Sequence, residues 1–193
     1  MDDYLKAGGL VVYPTSTLPG LGCLPNEEGL DRLFSIKKRS SDMPVSLGVE
    51  NMSQVSDLVV IPECAIQLLE GFPKGSLTLV LPAINTLDSR LGGDWVAIRV
   101  FAHPEAISLA TIHGPITATS ANPSGVIPEC DTALAAKEIG VSCFIPGICP
   151  GGKGSTFVQL EKDSRSERGW SLSIMREGVI PHAGVSEWWT SQA

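Results

Sequence analysis

The residues that could do chemistry stand where strands give way to loops. Residues 115–125 read Pro-Ile-Thr-Ala-Thr-Ser-Ala-Asn-Pro-Ser-Gly. The first part, 116–119, is β-branched and small and predicts a buried strand. It breaks into Ser120, Asn122, Pro123, Ser124 and Gly125, which is loop chemistry. A strand that delivers Ser120 and Asn122 into a loop offers hydrogen-bonding groups to a ligand crevice, and the same cluster also suits an ordinary turn. Near the N-terminus the apolar run 10–13 ends in Pro14-Thr15-Ser16-Thr17, followed by Gly20 and Gly22. That is either a turn or a backbone that approaches a ligand closely, with threonine hydroxyls directed at it.

Cations form the second set. Lys37-Lys38-Arg39 is the densest basic cluster of the chain. Such a run suits the solvated C-terminal end of a helix, and it could equally neutralise a polyphosphate. Arg99 interrupts the apolar run 96–100. It sits at a strand edge with its head in water, or it aims its fork at a carboxylate ligand, because a buried unpaired charge is expensive. Pro150-Gly151-Gly152-Lys153-Gly154 looks like a phosphate-cradling loop, yet the first glycine is missing at the required spacing and no helix follows, so that reading is rejected. His103, His113 and His182 lack metal-ligand spacing and read as surface or capping residues.

The elements that position these groups alternate. Helices are predicted at residues 1–8, from Asn26 or Glu27 to the basic cluster, and at 52–58, 63–69, 103–111 and 132–139. Strands are predicted at 10–13, 45–49, 76–81, 96–100, 116–119, 141–145, 155–160 and 170–175, with residues 18–23 as loop. Trp188 and Trp189 in the tail 181–193 are expected to dock on the body of the protein.

Hydrophobic residues make up 43% of the 193 and charged residues 18%, which suits one soluble globular domain, 1–193. The net charge of −7 argues against broad capture of a nucleic-acid backbone, though a local basic groove is compatible with it. Five cysteines without Cys-x-x-Cys spacing indicate neither a zinc site nor a disulfide framework, and reduced thiols in a cytoplasm are expected. No signal peptide or membrane span is visible.

Four islands in order resemble the threonylcarbamoyl-AMP synthase family, the Sua5/YciO/YrdC proteins. They are Tyr13-Pro14-Thr15-Ser16-Thr17-Leu18-Pro19-Gly20-Leu21-Gly22; Lys37-Lys38-Arg39 with Pro44; Arg99 together with the Ser120-Ala121-Asn122 segment; and Gly154-Ser155-Thr156-Phe157-Val158 with Ile174-Met175-Arg176-Glu177-Gly178. The resemblance spans roughly residues 8–180 and looks like the family's short form. It implies an α/β fold: an open, twisted mixed sheet flanked by helices, with a concave, positively charged cavity. It implies a nucleotidyltransferase that makes threonylcarbamoyl-AMP and pyrophosphate from ATP, L-threonine and bicarbonate, for the modification of adenosine 37 of tRNA. By resemblance, Lys37 and Arg39 are catalytic and hold the triphosphate, and Asn122 and Arg176 bind the nucleotide. Thr15, Thr17, Arg99, Ser120 and Ser155 bind threonine. Mg²⁺ accompanies ATP as a counter-ion with no protein metal ligands, and tRNA or the downstream threonylcarbamoyl transferase is a further partner.

The sequence departs from the family pattern at several places. Ser16 stands where an acid is usual, Pro19 where an aromatic is usual, Ser40 where a proline follows the arginine, and Cys130 near an expected hydroxyl. Two other readings stay open: a non-catalytic RNA-binding relative, and an enzyme that adenylates a different carbamate.

Overall fold

The computed structural model describes residues 1–123 and 125–192; Ser124 of the Asn-Pro-Ser-Gly loop and Ala193 of the tail lie outside the described residues. The strands are β1 Val11–Tyr13, β2 Gly20–Gly22, β3 Ser46–Val49, β4 Leu77–Pro82, β5 Trp95–Val100, β6 Ile116–Ser120, β7 Thr156–Lys162 and β8 Trp170–Arg176. The helices are α1 Asp2–Lys6, α2 Glu27–Lys37, α3 Glu63–Glu70, α4 Pro104–His113, α5 Thr132–Ile139 and α6 His182–Ser191. One eight-stranded sheet runs in the order β1-β2-β6-β3-β5-β4-β7-β8. Only β3 with β5 and β4 with β7 pair in parallel; the other neighbours are antiparallel. This is the mixed, helix-flanked sheet expected from the sequence.

Alternation along each strand sorts side chains onto two faces. One face carries Val12, Leu47, Leu79, Ile98, Val158 and Leu160 and forms the main core with Leu30 and Leu33 of α2, Leu68 of α3, Ala135 and Ala136 of α5 and Val185 of α6. The other face carries Val11, Tyr13 and Ile116 and packs under Leu5 of α1 and Ala106, Leu109 and Ala110 of α4. Phe101 belongs to this smaller cluster and lies against Gly48, where a Cβ would come within 1.8 Å of its ring. Only a glycine fits there, so β3 stays in register beneath the ring.

The local signals that build the helices are side-chain caps. Asn26 Oδ1 accepts from the Gly29 N–H at 2.9 Å, and Asp131 Oδ1 accepts from the N–H groups of Ala133 and Leu134. His103 caps α4 through Nδ1, with Pro104 at its first position. The tail docks as expected: Trp188 packs on Phe72 at 5.9 Å between ring centroids, and Arg168 lies over Trp189.

Three expectations need correction. Residues 20–22 are a strand, not loop: Gly20 and Gly22 are held by backbone pairing, β2 lying between β1 and β6. Residues 52–58 give only a 3-10 turn at Met52–Val55, because Val60 N–H bonds to the Pro82 carbonyl and Ile84 N–H to the Leu58 carbonyl, drawing the chain to the sheet edge. Residues 141–145 are not a full strand. They make a single parallel bridge, Phe144 with Val12, against a β1 only three residues long.

Candidate functional site

A cavity of about 190 Å³ opens on the sheet face that α1 and α4 leave uncovered. Its floor is set by the register. Gly20 pairs with Ser120, Ser46 with Ala118, Gly48 with Arg99, Thr78 with Phe157, and Phe157 with Arg176. Opposed residues share a face, so Ser46, Arg99, Ala118, Ser120 and Phe157 all reach the same side. Arg176 joins them through an irregularity. The β7–β8 register slips between Phe157 and Val158, so Arg176 stands opposite Phe157 while Ile174 stands opposite Val158. One extra residue on β8 re-aims its end, which is a common use of a bulge. Arg176 then lies over the Phe157 ring at 4.2 Å, and its Nη2 donates to the Ser155 carbonyl at 3.1 Å.

The first loop is folded by its own hydroxyls. Thr15 Oγ1 donates to the Leu18 carbonyl at 2.6 Å and accepts from the Thr17 N–H at 3.1 Å. The Thr15 N–H donates to Cys149 Sγ at 3.3 Å. Beneath the loop, the buried Tyr13 ring fills the space where a Cβ at Gly20 would sit, 2.6 Å away. Its hydroxyl donates to the Thr117 carbonyl at 3.0 Å, and burial pushes the phenol far above its ordinary pKa.

Arg99 is 9% exposed. Its Nε donates to the Gly75 carbonyl at 3.1 Å and its Nη2 to Thr17 Oγ1 at 2.8 Å, with Ser16 Oγ at 3.4 Å. Ser16 thus offers a neutral acceptor where an acid would have paired the guanidinium. Arg39 is held by two carbonyls, its Nε on Met43 and its Nη2 on Pro44. Burial lowers the pKa of all three arginines, and the charge of Arg176 lowers Arg39 and Arg99 further. Among the described residues none of the three forms a salt bridge, and the cavity wall holds no carboxylate. Three guanidinium groups facing one space without an anion is a costly arrangement unless a ligand supplies it.

Lys37 and Asn122 are placed differently from the other residues singled out in the sequence. Both are buried, and neither lines the cavity. Lys37 Nζ donates to the Ser120 carbonyl at 2.5 Å and the Asn122 carbonyl at 2.8 Å, tying α2 to the end of β6. Burial, and then the charge of Arg39, pull its pKa down to about 8. Asn122 Nδ2 donates to the carbonyls of Pro123 and Val126, while its Oδ1 is buried without a partner among the described residues. Between Lys37 and Arg39, Lys38 takes the left-handed conformation with φ 48°, the only non-glycine residue among those described to do so. The turn sends Lys37 inward and Arg39 to the cavity, and leaves Lys38 in solvent.

Thr15, Thr17, Arg39, Arg99, Ser120, Ser155 and Arg176 all line the cavity. Ser155 Oγ is within 2.6 Å of Thr78 Oγ1. Tyr13, Ser46 and Phe157 line the cavity and Cys149 braces its first loop, although the sequence assigned none of them a role in the site. Alternation along 155–160 places Phe157 opposite to Val158, which could have marked it; nothing local marks Cys149. A second cavity of about 330 Å³ adjoins the first through Pro44, Phe157 and Arg176 and continues along the open face past Val80, Ala97 and Met175.

The chain as a whole is similar to known proteins. The Sua5/YciO/YrdC family, described as "Telomere recombination", matches residues 3–178. Threonylcarbamoyl-AMP synthase of Pyrococcus abyssi (strain GE5 / Orsay) is 32% identical over 185 residues, 92% of this chain and 53% of that protein. The synthase of Pseudomonas fluorescens (strain Pf0-1) is 39% identical over 125 residues, 63% of this chain and 68% of that protein. Among solved structures, P. abyssi Sua5 complexed with L-threonine superposes with TM-score 0.83 at 31% identity, covering 96% of this chain and 55% of that one. E. coli YciO, with TM-score 0.72 at 22% identity over 92% of this chain and 86% of that one, shares the fold. The chain spans about half the length of the Pyrococcus protein.

Proposed function

The chain belongs to the Sua5/YciO/YrdC family, and from that premise we propose that it joins L-threonine, bicarbonate and ATP into threonylcarbamoyl-AMP, releasing pyrophosphate and water. The observation that carries the reading is the set of three guanidinium groups, Arg39, Arg99 and Arg176, turned into one cavity without a carboxylate partner among the described residues. Every substrate of this reaction carries an anionic group: a carboxylate, a bicarbonate or a triphosphate. The enclosed part of the cavity, about 190 Å³, is below the ~300–1,000 Å³ of pockets that bury a drug-sized ligand and suits an amino acid. The adjoining apolar space past Arg176 has walls on which a purine base can lie.

The threonine carboxylate binds Arg99, whose guanidinium is already oriented by Gly75 and Thr17. Thr15, Thr17, Ser120 and Ser155 supply hydroxyls around the amino acid. The threonine amine attacks the bicarbonate carbon, water leaves, and a carbamate oxygen then attacks the α-phosphorus. The bond to the β,γ-diphosphate breaks as pyrophosphate departs, its charge met by Arg39 and Arg176. Catalysis rests on positioning and electrostatics. Lys37 acts as an anchor for the β6 end and adds a buried positive charge behind the cavity, and Asn122 Oδ1 has no hydrogen-bond partner among the described residues. The cavity wall has no carboxylate with which to hold a divalent ion, so Mg²⁺ enters on the phosphates of its substrate ATP. The product suits transfer of threonylcarbamoyl to adenosine 37 of tRNA.

The test is pyrophosphate release from MgATP, with bicarbonate and each amino acid in turn. Release that requires both bicarbonate and threonine supports the reading; release indifferent to threonine contradicts it.

A further inference from the structure

Cys130 and Cys149 stand opposite each other in the two loops beside the cavity. Asp131 and Ile148 form an antiparallel bridge, flanked by Cys149 N–H to the Cys130 carbonyl at 2.8 Å and Thr132 N–H to the Gly147 carbonyl at 3.0 Å. That register makes Cys130 and Cys149 a directly opposed pair. Opposed residues in an antiparallel pair share a side, with Cα atoms roughly 5.5 Å apart where they are hydrogen-bonded, and a disulfide takes about 4.4–6.8 Å. The Cys130 sulfur lies on that side: a Cβ at Gly151, two residues beyond Cys149, would meet it at 2.7 Å. Cys130 is partly exposed, and Cys149 is buried.

The Cys149 strand is stitched to the amino-acid end of the cavity. Its Sγ accepts from the Thr15 N–H, and the Gly151 N–H donates to the Thr17 carbonyl at 2.9 Å. We propose that Cys130 and Cys149 form a reversible oxidation site, closed into a disulfide by hydroperoxides, and that closure loosens the loop carrying Thr15 and Thr17. The Cys130 thiolate, at the exposed end, attacks a peroxide oxygen; the O–O bond breaks, and the departing hydroxide leaves as water with the thiol's proton. The Cys149 thiol then attacks the sulfenic sulfur, an S–S bond forms, and a second water departs. Two thiols and one hydrogen peroxide give one disulfide and two waters. Burial raises the Cys149 pKa, which suits it to the second, resolving position. Once Sγ turns to Cys130, the Thr15 N–H loses its acceptor. No group of three or more potential metal-ligating side chains exists among the described residues, so this pair does not extend into a metal site.

The disulfide stands independently of the activity; its effect on threonine rests on the reading of the cavity given above. Reduced protein is treated with hydrogen peroxide, alkylated and mapped by mass spectrometry, with Cys130→Ser and Cys143→Ser alongside. The expected result is loss of two hydrogens and a peptide joining Cys130 to Cys149, reversed by dithiothreitol, absent in Cys130→Ser and retained in Cys143→Ser. Threonine binding by calorimetry should weaken roughly tenfold on oxidation and recover on reduction, the scale of one lost hydrogen bond. Sulfinic acid at Cys130 without a cross-link, or a cross-link through another cysteine, overturns the site. A Cys130–Cys149 disulfide that leaves threonine binding intact overturns its coupling to the cavity. Reduced protein that binds no threonine fails the functional reading instead, and the peptide map still decides the disulfide.

Discussion

The two faces of the sheet are made by the same strands and solve opposite problems. On the face packed by α2, α3, α5 and α6, Leu79, Ile98 and Val158 are fully buried against other apolar groups. On the other, beyond the reach of α1 and α4, their immediate neighbours Arg99 and Phe157 line a cavity, Thr78 bonds to Ser155 of its wall, and the guanidinium groups have no counter-charge among the described residues. One face is satisfied by the fold itself. The other is complete only with an anion in place. Folding stability and ligand affinity should therefore separate by the parity of the residue.

The largest effect sharpens that contrast. Ile98→Ala empties a fully buried site of the closed face and should cost about 2–5 kcal/mol in denaturant unfolding, with threonine and ATP affinity of the folded protein unchanged. Arg176→Leu, on the open face, should leave the unfolding midpoint nearly in place and raise KM for ATP roughly 10–150-fold, the range of a hydrogen bond to a charged group. A large loss of stability in Arg176→Leu would break the distinction.

A smaller effect comes from Lys37, which lies where the faces meet. Its folded pKa is about 8, against an ordinary 10.5. The ammonium is lost from the folded protein above about pH 8, so kcat/KM for ATP should decline there, and Lys37→Arg should remove that limb. The stability sign is opposite. Between about pH 8 and 10.5 the unfolded chain binds a proton that the folded one does not, so the cost of burying Lys37 is full below pH 8 and relieved as pH rises through that window. The smallest effect is at Lys38. Glycine there removes a left-handed strain and should stabilise by about 0.5–1 kcal/mol without moving either KM.

Much of this contrast was legible in the sequence, and the rest was not for definite reasons. The 96–100 run puts Val96 and Ile98 in phase and Arg99 out of phase, and the buried strand appears as expected. Helix α2 begins at its Asn26 cap and helix α5 covers the expected residues, because capping is local. The cluster Lys37-Lys38-Arg39 read as one basic patch, but a left-handed Lys38 divides it into a buried anchor, a solvated cation and a cavity residue. Periodicity cannot see such a turn in a non-glycine residue. Nor can it see the bulge that brings Arg176 opposite Phe157, since strict alternation would send that side chain to the closed face. Residues 20–22 and 141–145 differ from the sequence expectation because strand pairing is non-local: β2 has partners on both sides, while the 141–145 segment finds only three residues of β1.

The central claim, that the open face is completed by an anion, is tested most directly at Arg99 by comparing two ligands that differ only at the carboxyl group, charged in one and a neutral amide in the other. Threonine and threonine amide are titrated into the native protein and into Arg99→Met by calorimetry. The account predicts that the native protein prefers threonine by at least about tenfold and that Arg99→Met loses the preference, as expected for removal of a charge-assisted contact. A preference that survives in Arg99→Met would show that Arg99 serves only to brace Gly75 and Thr17, and would contradict the account.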